Sequence, residues 1–503
     1  MNSGPEVLLT LENHACMLCA TSRNDCRCDL GQVISIDVLP DDVLLAIFDF
    51  YVDEATKMIW NLSLPKHLVE GWQPLVHVCQ RWRAVVFGSP CRLNLRLGCS
   101  SRTPARDRLD IWPAFPLFIF DNRRERSDGM DSIIAALEHS DRVHQIKLFD
   151  LSCSHLKEVL AAMQVPFPEL TRLELHTFDT VLPDSSLGGT VPHLQFLRLQ
   201  GFPLLSLPKL LLYATHLVTL RLERVPHFGY ISPEVMVTTL STLTRLQSLS
   251  LKFGSPRSPP DRTSHPPPST RSILPVLTHF CFNGVGKYLE DIVSRIDVPR
   301  IDRLSIGFFY QMGGTPRSIS FIRHIPRFEA FKTAHIFFSH DGARVKFYSQ
   351  PGERTLDVYM PCNELDGQLS SAGQVCASCL PSLFPLEDLH ISERQYSSLV
   401  WLNYIGNTRW LELLRPFTSV KNLCISREVT PSLVSALQEL VGSRTTEVLP
   451  TLQNITLPWP HFPDDQEGIE HFVAARQVAG HPIVVSYESS PHRLFWAKRM
   501  VDI

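Results

Sequence analysis

The chain has 503 residues, of which 44% are hydrophobic and 20% charged, the composition expected of a soluble globular protein with material for a large core. A formal net charge of −3 supplies no global attraction to nucleic acid or to an anionic membrane, so neither is expected as a partner. No apolar run approaches the roughly 18 residues a membrane helix needs, and the opening MNSGPEVLLTLEN lacks the basic start and apolar stretch of a secretion signal.

Residues 1–35 read as a disordered tail. Thirteen cysteines without a secretion signal point to reduced thiols in cytosol or nucleus, and the sequons at Asn61 and Asn454 are then expected to stay unmodified. Cys16, Cys19, Cys26 and Cys28, with His14 beside them, are crowded enough for thiolates to close a tetrahedral zinc site, but the tight Cys26-x-Cys28 pair departs from the usual finger spacing. A metal site and a thiol-bearing tail both remain open, and no cofactor is assigned.

The stretch Ile36 to Asp49, IDVLPDDVLLAIFD, predicts a helix. Pro40 suits a first helical position, where its missing N–H costs nothing, and Asp41 and Asp42 place negative charge at the positive end of the dipole. Val43, Leu44, Ile47, Phe48 and Tyr51 recur at helical spacing, as one apolar stripe. Pro74 opens a second helix in the same way, with Leu75, Val78, Cys79, Trp82 and Val86 expected on its buried side. Helices this short cannot bury enough surface alone, so apolar surface is left for a partner or for the rest of the chain.

Leu39-Pro40 with its acidic pair, the Leu44/Ile47 pair and the Cys79-x-x-Trp82-Arg83 ending together resemble an F-box over residues 36–98. The segment SPCRLNLRL at Ser89 to Leu97 is similar to one in the F-box-like domains common in mushroom-forming fungi. The resemblance implies docking onto the Skp-type adaptor of an SCF-type cullin-RING ubiquitin ligase, with Leu39, Pro40, Leu44, Ile47, Val78 and Trp82 as adaptor-binding or framework residues. The insertion 52–73 is longer than the compact family pattern.

Residues 99–130 read as a connector, whose basic cluster Arg102, Arg106, Arg108, Arg123, Arg124 and Arg126 is expected to be a solvated surface. From 131 to 490 an apolar triplet recurs: Val143/Ile146/Leu148, Leu170/Leu173/Leu175, Leu194/Leu197/Leu199, Leu217/Leu220/Leu222 and Leu246/Leu249/Leu251. It continues as Leu277/Phe280/Phe282, Ile301/Leu304/Ile306, Leu386/Leu389/Ile391, Val420/Leu423/Ile425 and Leu452/Ile455/Leu457. Steps of 27, 24 and 23 residues between the first four triplets fall within the roughly 20 to 29 residues of a leucine-rich repeat, and later steps lengthen. A short alternating strand buries one side only, so neighbours must stack and the returning segment must cover the back. The returning segments Ser132 to Ser140, His155 to Gln164, Pro208 to His216, Pro233 to Leu243 and Pro431 to Gly442 read as helices, the last three opened by proline.

The predicted fold class is therefore α/β: an N-terminal helical F-box followed by a divergent, curved, leucine-rich-repeat-like solenoid. The asparagine or cysteine that such repeats carry after the strand is replaced by Phe178, Phe202, Val225, Gly254, Val285 and Phe309, so phenylalanine is expected to pack at several turns. Gly254 to Thr270 holds six prolines and no large apolar side chain, which predicts a disordered loop 254–270. Its Ser255-Pro256 and Ser258-Pro259 pairs are candidate phosphate acceptors. Between Phe328 and Cys379 the pattern lapses, and HIFFS, ARVKFYS and TLDVYM read as plain strands of one or two degenerate repeats. The isolated Cys376-x-x-Cys379 reads as core and loop thiols, and residues 491–503 as a fraying tail.

No phosphate loop, dinucleotide fingerprint or paired-histidine metal motif occurs, so a non-catalytic role is expected. The leading expectation is a substrate-recognition subunit whose repeats recruit an unidentified protein target. The alternative is an interaction scaffold outside any ligase. Alternation along the strands puts Arg172, Glu174, Phe196, Arg198, Thr219 and Arg221 on the face opposite the leucines, as the expected target-binding surface. On that reading Glu174 and Arg221 matter little to folding, and reversing the charge of Arg198 and Arg221 leaves stability unchanged.

Overall fold

The computed structural model describes residues 38–61, 71–101, 105–122, 129–177, 180–189, 191–255, 271–309, 328, 331–349, 354–379, 386–393, 406–440, 442–458 and 463–488. The tail with its four cysteines and His14, Arg102, Arg123, Arg124, Arg126, Phe178, residues 256–270 of the proline-rich segment and the last residues 491–503 lie outside them. The chain forms two compact units, Met1–Leu64 with Val69–Asn94, and Pro65–Leu68 with Leu95–Ile503.

The first unit is helical: α1 (Asp41–Asn61), the short α2 (Gln73–Val76) and α3 (Gln80–Gly88). Asp41 and Asp42 sit in the first turn of α1, where the helix dipole favours them. Leu44, Phe48 and Val52, one helical turn apart, are buried with Trp72, Leu75, Val76, Val85 and Val86. Cys79 caps α3, its sulfur accepting from the Trp82 N–H. The Trp82 ring tilts against Phe48 at 4.7 Å. Arg81 ties the start of α1 to α3, donating to Asp41 Oδ1 at 2.7 Å and to the Leu39 carbonyl at 2.5 Å.

Among the described residues, the second unit is built on a sheet of 16 strands. It begins with β1 (Leu97–Cys99), β2 (Leu117–Asn122), β3 (Val143–Phe149), β4 (Arg172–His176) and β5 (Phe196–Gln200). It continues with β6 (Thr219–Val225), β7 (Ser248–Phe253), β8 (His279–Gly284) and β9 (Arg303–Phe308). Then come β10 (Thr333–Ser339), β11 (Gly342–Tyr348), β12 (Thr355–Pro361), β13 (Asp388–Glu393), β14 (Asn422–Ile425), β15 (Asn454–Pro458) and β16 (Val484–Glu488). From β1 to β9 each strand lies parallel to the next, in chain order.

Every residue of the ten triplets is 3% exposed or less. They stack in register: Ile146 beside Leu173, then Leu197, Leu220, Leu249, Phe280 and Leu304. Helices occur where the returning segments predict them, including α5 (Met130–Leu137) after α4 (Ala105–Ile111), then α6 (Cys153–Ala162), α7 (Leu207–Leu212) and α8 (Pro233–Ser241). Ser152 and Ser232 cap α6 and α8 by accepting from the N–H three residues on, one of the bonds a helix start otherwise lacks. Phe202, Val225 and Val285 are buried at their turns, while Gly254 is exposed, so apolar packing fills part of the place of a polar ladder.

Two expectations are corrected. The stretch 99–130 is more than a connector, since β2 lies in it and places Leu117 and Ile119 in the core, and the sheet already starts at β1, whose Leu97 falls inside the 36–98 segment. The three strands between Phe328 and Cys379 are strands as expected, but they do not form one or two degenerate repeats. β10, β11 and β12 form an antiparallel meander inserted in reverse, so that β9 pairs with β12 and β10 pairs with β13. A two-residue turn, His340-Asp341, joins β10 to β11, and the parallel ladder resumes from β13 to β16.

Near the far end, Arg476 of the helix Pro463–Val478 is fully buried. It donates to the carbonyls of Thr445, Pro450 and Leu452, which offsets part of the cost of desolvating a guanidinium.

Truncating Leu197 or Leu220 to alanine should lower unfolding free energy by about 2 to 5 kcal/mol, whereas Thr219→Ala, on the opposite face, should change it by less than about 0.5 kcal/mol. Equal sensitivity of all three in denaturant midpoint contradicts the stacked core.

Candidate functional site

In the helical unit the six residues singled out by the sequence separate by exposure. Leu44 is fully buried and belongs to the core, so its side chain is framework rather than surface. Leu39 and Trp82 are half-buried and Pro40 is exposed. Ile47 and Val78 are 45% and 58% exposed. The single stripe expected of α1 is corrected, for the helix carries two apolar stripes, and Val78, expected on a buried side, lies between two short helices and is exposed. Leu44, Phe48 and Val52 face inward, and Val43, Ile47, Phe50 and Tyr51, at i, i+4, i+7 and i+8, face solvent with Phe50 71% exposed. Phe50 was missed in the sequence, although its spacing from Val43 and Ile47 marks it. Large apolar residues thus recur on the exposed side of α1 as well as on its buried side.

In the second unit, burial of one row of each strand turns the other row onto the open face of the sheet. The six residues named from the sequence come together there on three adjacent strands: Arg172 beside Phe196 beside Thr219, and Glu174 beside Arg198 beside Arg221. Ser248 and Ser250 continue the two rows.

These side chains form one network around two carboxylates. Arg172 Nε donates to Glu174 Oε1 at 2.7 Å, Lys147 Nζ lies 3.3 Å from the same oxygen, and Arg198 Nη1 is 3.7 Å from Oε2. Arg198 also gives Nε and Nη2 to Glu223 Oε2 at 2.9 and 2.6 Å, and Lys252 reaches Glu223 Oε1 at 3.1 Å. Phe196 lies under Arg172 at 3.6 Å, with Arg221 at 5.7 Å from the same ring. Burial tends to raise the Glu223 pKa, but Lys252 and Arg198 outweigh it and hold the carboxyl below its usual range. Desolvation lowers the Lys147 ammonium, against the pull of Glu174 and with help from Arg172.

Two stability expectations are corrected by this geometry. Glu174 is not an indifferent solvated residue, because its side chain is 4% exposed and holds three cations. Arg198 bridges both carboxylates, so reversing its charge would set a third negative group against two covered ones. Arg221 remains exposed.

Further along the face, His335 and His390 stack at 4.2 Å. Asn422 donates to Asp388 Oδ1 and Asn454 to Asn422 Oδ1, both at 2.7 Å. This polar ladder was not anticipated, since its members lie more than 30 residues apart in sequence and meet only through strand register. Among the described residues no group of three His, Cys, Asp or Glu side chains is placed to hold a metal ion, and no helix is long and apolar enough to cross a membrane.

No protein-family model matches the chain, and no curated protein matches it. Among solved structures it is similar to the leucine-rich repeat-containing protein LegL7 from Legionella pneumophila, at 12% identity, covering 67% of this chain and 92% of that one with a TM-score of 0.27. That overlap is too low for any residue-by-residue correspondence.

Glu174→Ala should destabilise the protein by about 1 to 3 kcal/mol, because it strands charged donors in a partly desolvated place; a denaturant midpoint equal to wild type contradicts the network. Acid should also weaken the fold. Burial lowers the pKa of His176, and burial together with Arg303 lowers that of His279. Both therefore bind protons less readily folded than unfolded, where imidazole titrates near about 6.5. Their contribution is complete above that pH and drains as pH falls through the lowered folded values. A His176→Gln, His279→Gln variant should lose less denaturant midpoint than wild type between about pH 7.5 and about pH 5.5; equal losses contradict the assignment.

Proposed function

We propose that the protein is a substrate-recognition subunit of an SCF-type cullin-RING ubiquitin ligase, with the helical unit docking to a Skp-type adaptor and the open strand face recruiting a protein target. The observation that carries the reading is the solvent-facing stripe Val43, Ile47, Phe50 and Tyr51, with exposed Val78, in the very segment that resembles an F-box. A second apolar stripe on a helix whose first stripe already fills a core calls for a partner of matching apolar surface. The pattern Leu39-Pro40 with Asp41 and Asp42 fits the same reading. In such a complex this chain performs no bond chemistry. It contributes proximity, holding a target lysine near an activated thioester carried by another subunit.

A scaffold outside any ligase would use the same two surfaces, and the test separates the two. Ile47→Asp with Phe50→Asp removes two exposed anchors of the kind worth about 2 kcal/mol each, so adaptor capture should fall by about thirtyfold for each and several hundredfold together, while thermal stability holds. Wild-type chain should bring down cullin together with the adaptor. Unchanged adaptor capture by the folded variant contradicts the F-box reading, and adaptor without cullin selects the scaffold.

A further inference from the structure

The open face of β3 to β7 has a charge bias that the whole chain lacks. Those five strands carry six cationic residues, Lys147, Arg172, Arg198, Arg221, Arg224 and Lys252, and two acidic ones, Glu174 and Glu223. The sign presented to solvent is mostly positive as well, with Asp150, just past β3 and paired to His176, as an exposed carboxylate beside it. The Glu174 and Glu223 side chains are 4% and 11% exposed, whereas Arg172, Arg198 and Lys252 are 33%, 30% and 42% exposed and Arg221 and Arg224 are open. The carboxylates lie beneath the cations and fix their positions. β6 adds to the bias through an irregularity between Leu222 and Val225, where Arg224 takes a left-handed φ of 50°. Strict alternation would set Arg221 and Arg224 on opposite faces, and the bulge lets both reach solvent.

We propose that this face docks an acidic peptide segment of the recruited protein, lying across the strands with its carboxylates over Arg172, Arg198 and Arg221. The proposal rests on the reading that the strand face takes the target, and it names the target's chemistry. Four strand spacings separate Lys147 from Lys252, about 19 Å, the length of about six extended residues. The Phe196 ring between Arg172 and Arg221 gives the segment an apolar contact in the middle of the charged track. Guanidiniums already held by buried carboxylates lose little side-chain freedom on binding, so an acidic ligand meets a preorganised surface.

Fluorescence anisotropy of a labelled decaglutamate peptide with the full chain tests this directly. Decaglutamate should bind and an alternating Gly-Ser decamer should not. The affinity should drop by about tenfold between about 50 and about 300 mM salt, because the contacts are exposed and screenable. Arg221→Glu should weaken binding by about tenfold, whereas Lys157→Glu on α6 should not. Should Arg221→Glu lower the thermal midpoint, Arg221→Gln with Lys252→Gln replaces it, with the same loss expected. Equal binding of the Gly-Ser decamer, or unchanged decaglutamate affinity in a folded variant, overturns the proposal. So does a single-stranded thymidine decamer binding tighter than decaglutamate. Adaptor capture through α1 is read separately, so failure here leaves the anchoring reading standing, and the reverse also holds.

Discussion

Alternation of side chains along short stacked strands is the constraint on which the rest of the second unit depends. Leu173 is buried between Ile146 and Leu197, and Leu197 between Leu173 and Leu220. A slip of one residue in any strand would exchange that row for its neighbours, so the apolar contacts hold the register. Once they do, Arg172, Glu174, Phe196 and Arg198 have no choice of face. Parallel pairing then sets like positions side by side, which is why the Glu174 carboxylate finds a lysine on the strand before it and an arginine on the strand after. The charged network is a consequence of the hydrophobic stacking rather than a second folding device.

That dependence explains what the sequence made legible. The triplets are local, separated by two and then one residue, and helices opened by Pro233 or Pro431 announce themselves through backbone chemistry. The six residues of the open face followed from alternation alone. Their energetic roles did not, because whether Glu174 is solvated or covered depends on Lys147, 27 residues before it, and Arg198, 24 residues after. β1 and β2 were missed since Leu97 to Cys99 is too short to show a period and β2, LFIFDN, carries no full triplet. The reversed meander is invisible to pattern reading, as its strands alternate like any others and only the long-range pairing of β9 with β12 sets their order. Arg476 reads as one surface charge among many until three carbonyls close around it. On α1 both apolar stripes were present in the spacing, but the sequence alone does not say which one the fold uses.

The two candidate surfaces differ in kind, and the difference suits different tasks. The exposed stripe of α1 is apolar, which favours burial against a fixed partner with little dependence on salt. The strand face from β3 to β7 is charged and half-open, which favours fast, screenable and selective encounter. The two surfaces share no residue, since one is built on α1 and the other on β3 to β7.

Cross-linking between neighbouring repeats tests the stacking most directly. Thr219 and Ser248 are register partners on the open face of β6 and β7, and cysteines at such positions fall within the Cα separation of about 4.4 to 6.8 Å that a disulfide accepts. Thr219→Cys with Ser248→Cys should oxidise to a single linked peptide, identified by mass spectrometry, with the thermal midpoint retained. Thr219→Cys with Lys252→Cys, four residues out of register, should not. A disulfide in the second pair and none in the first would contradict the register and, with it, the open face built upon it.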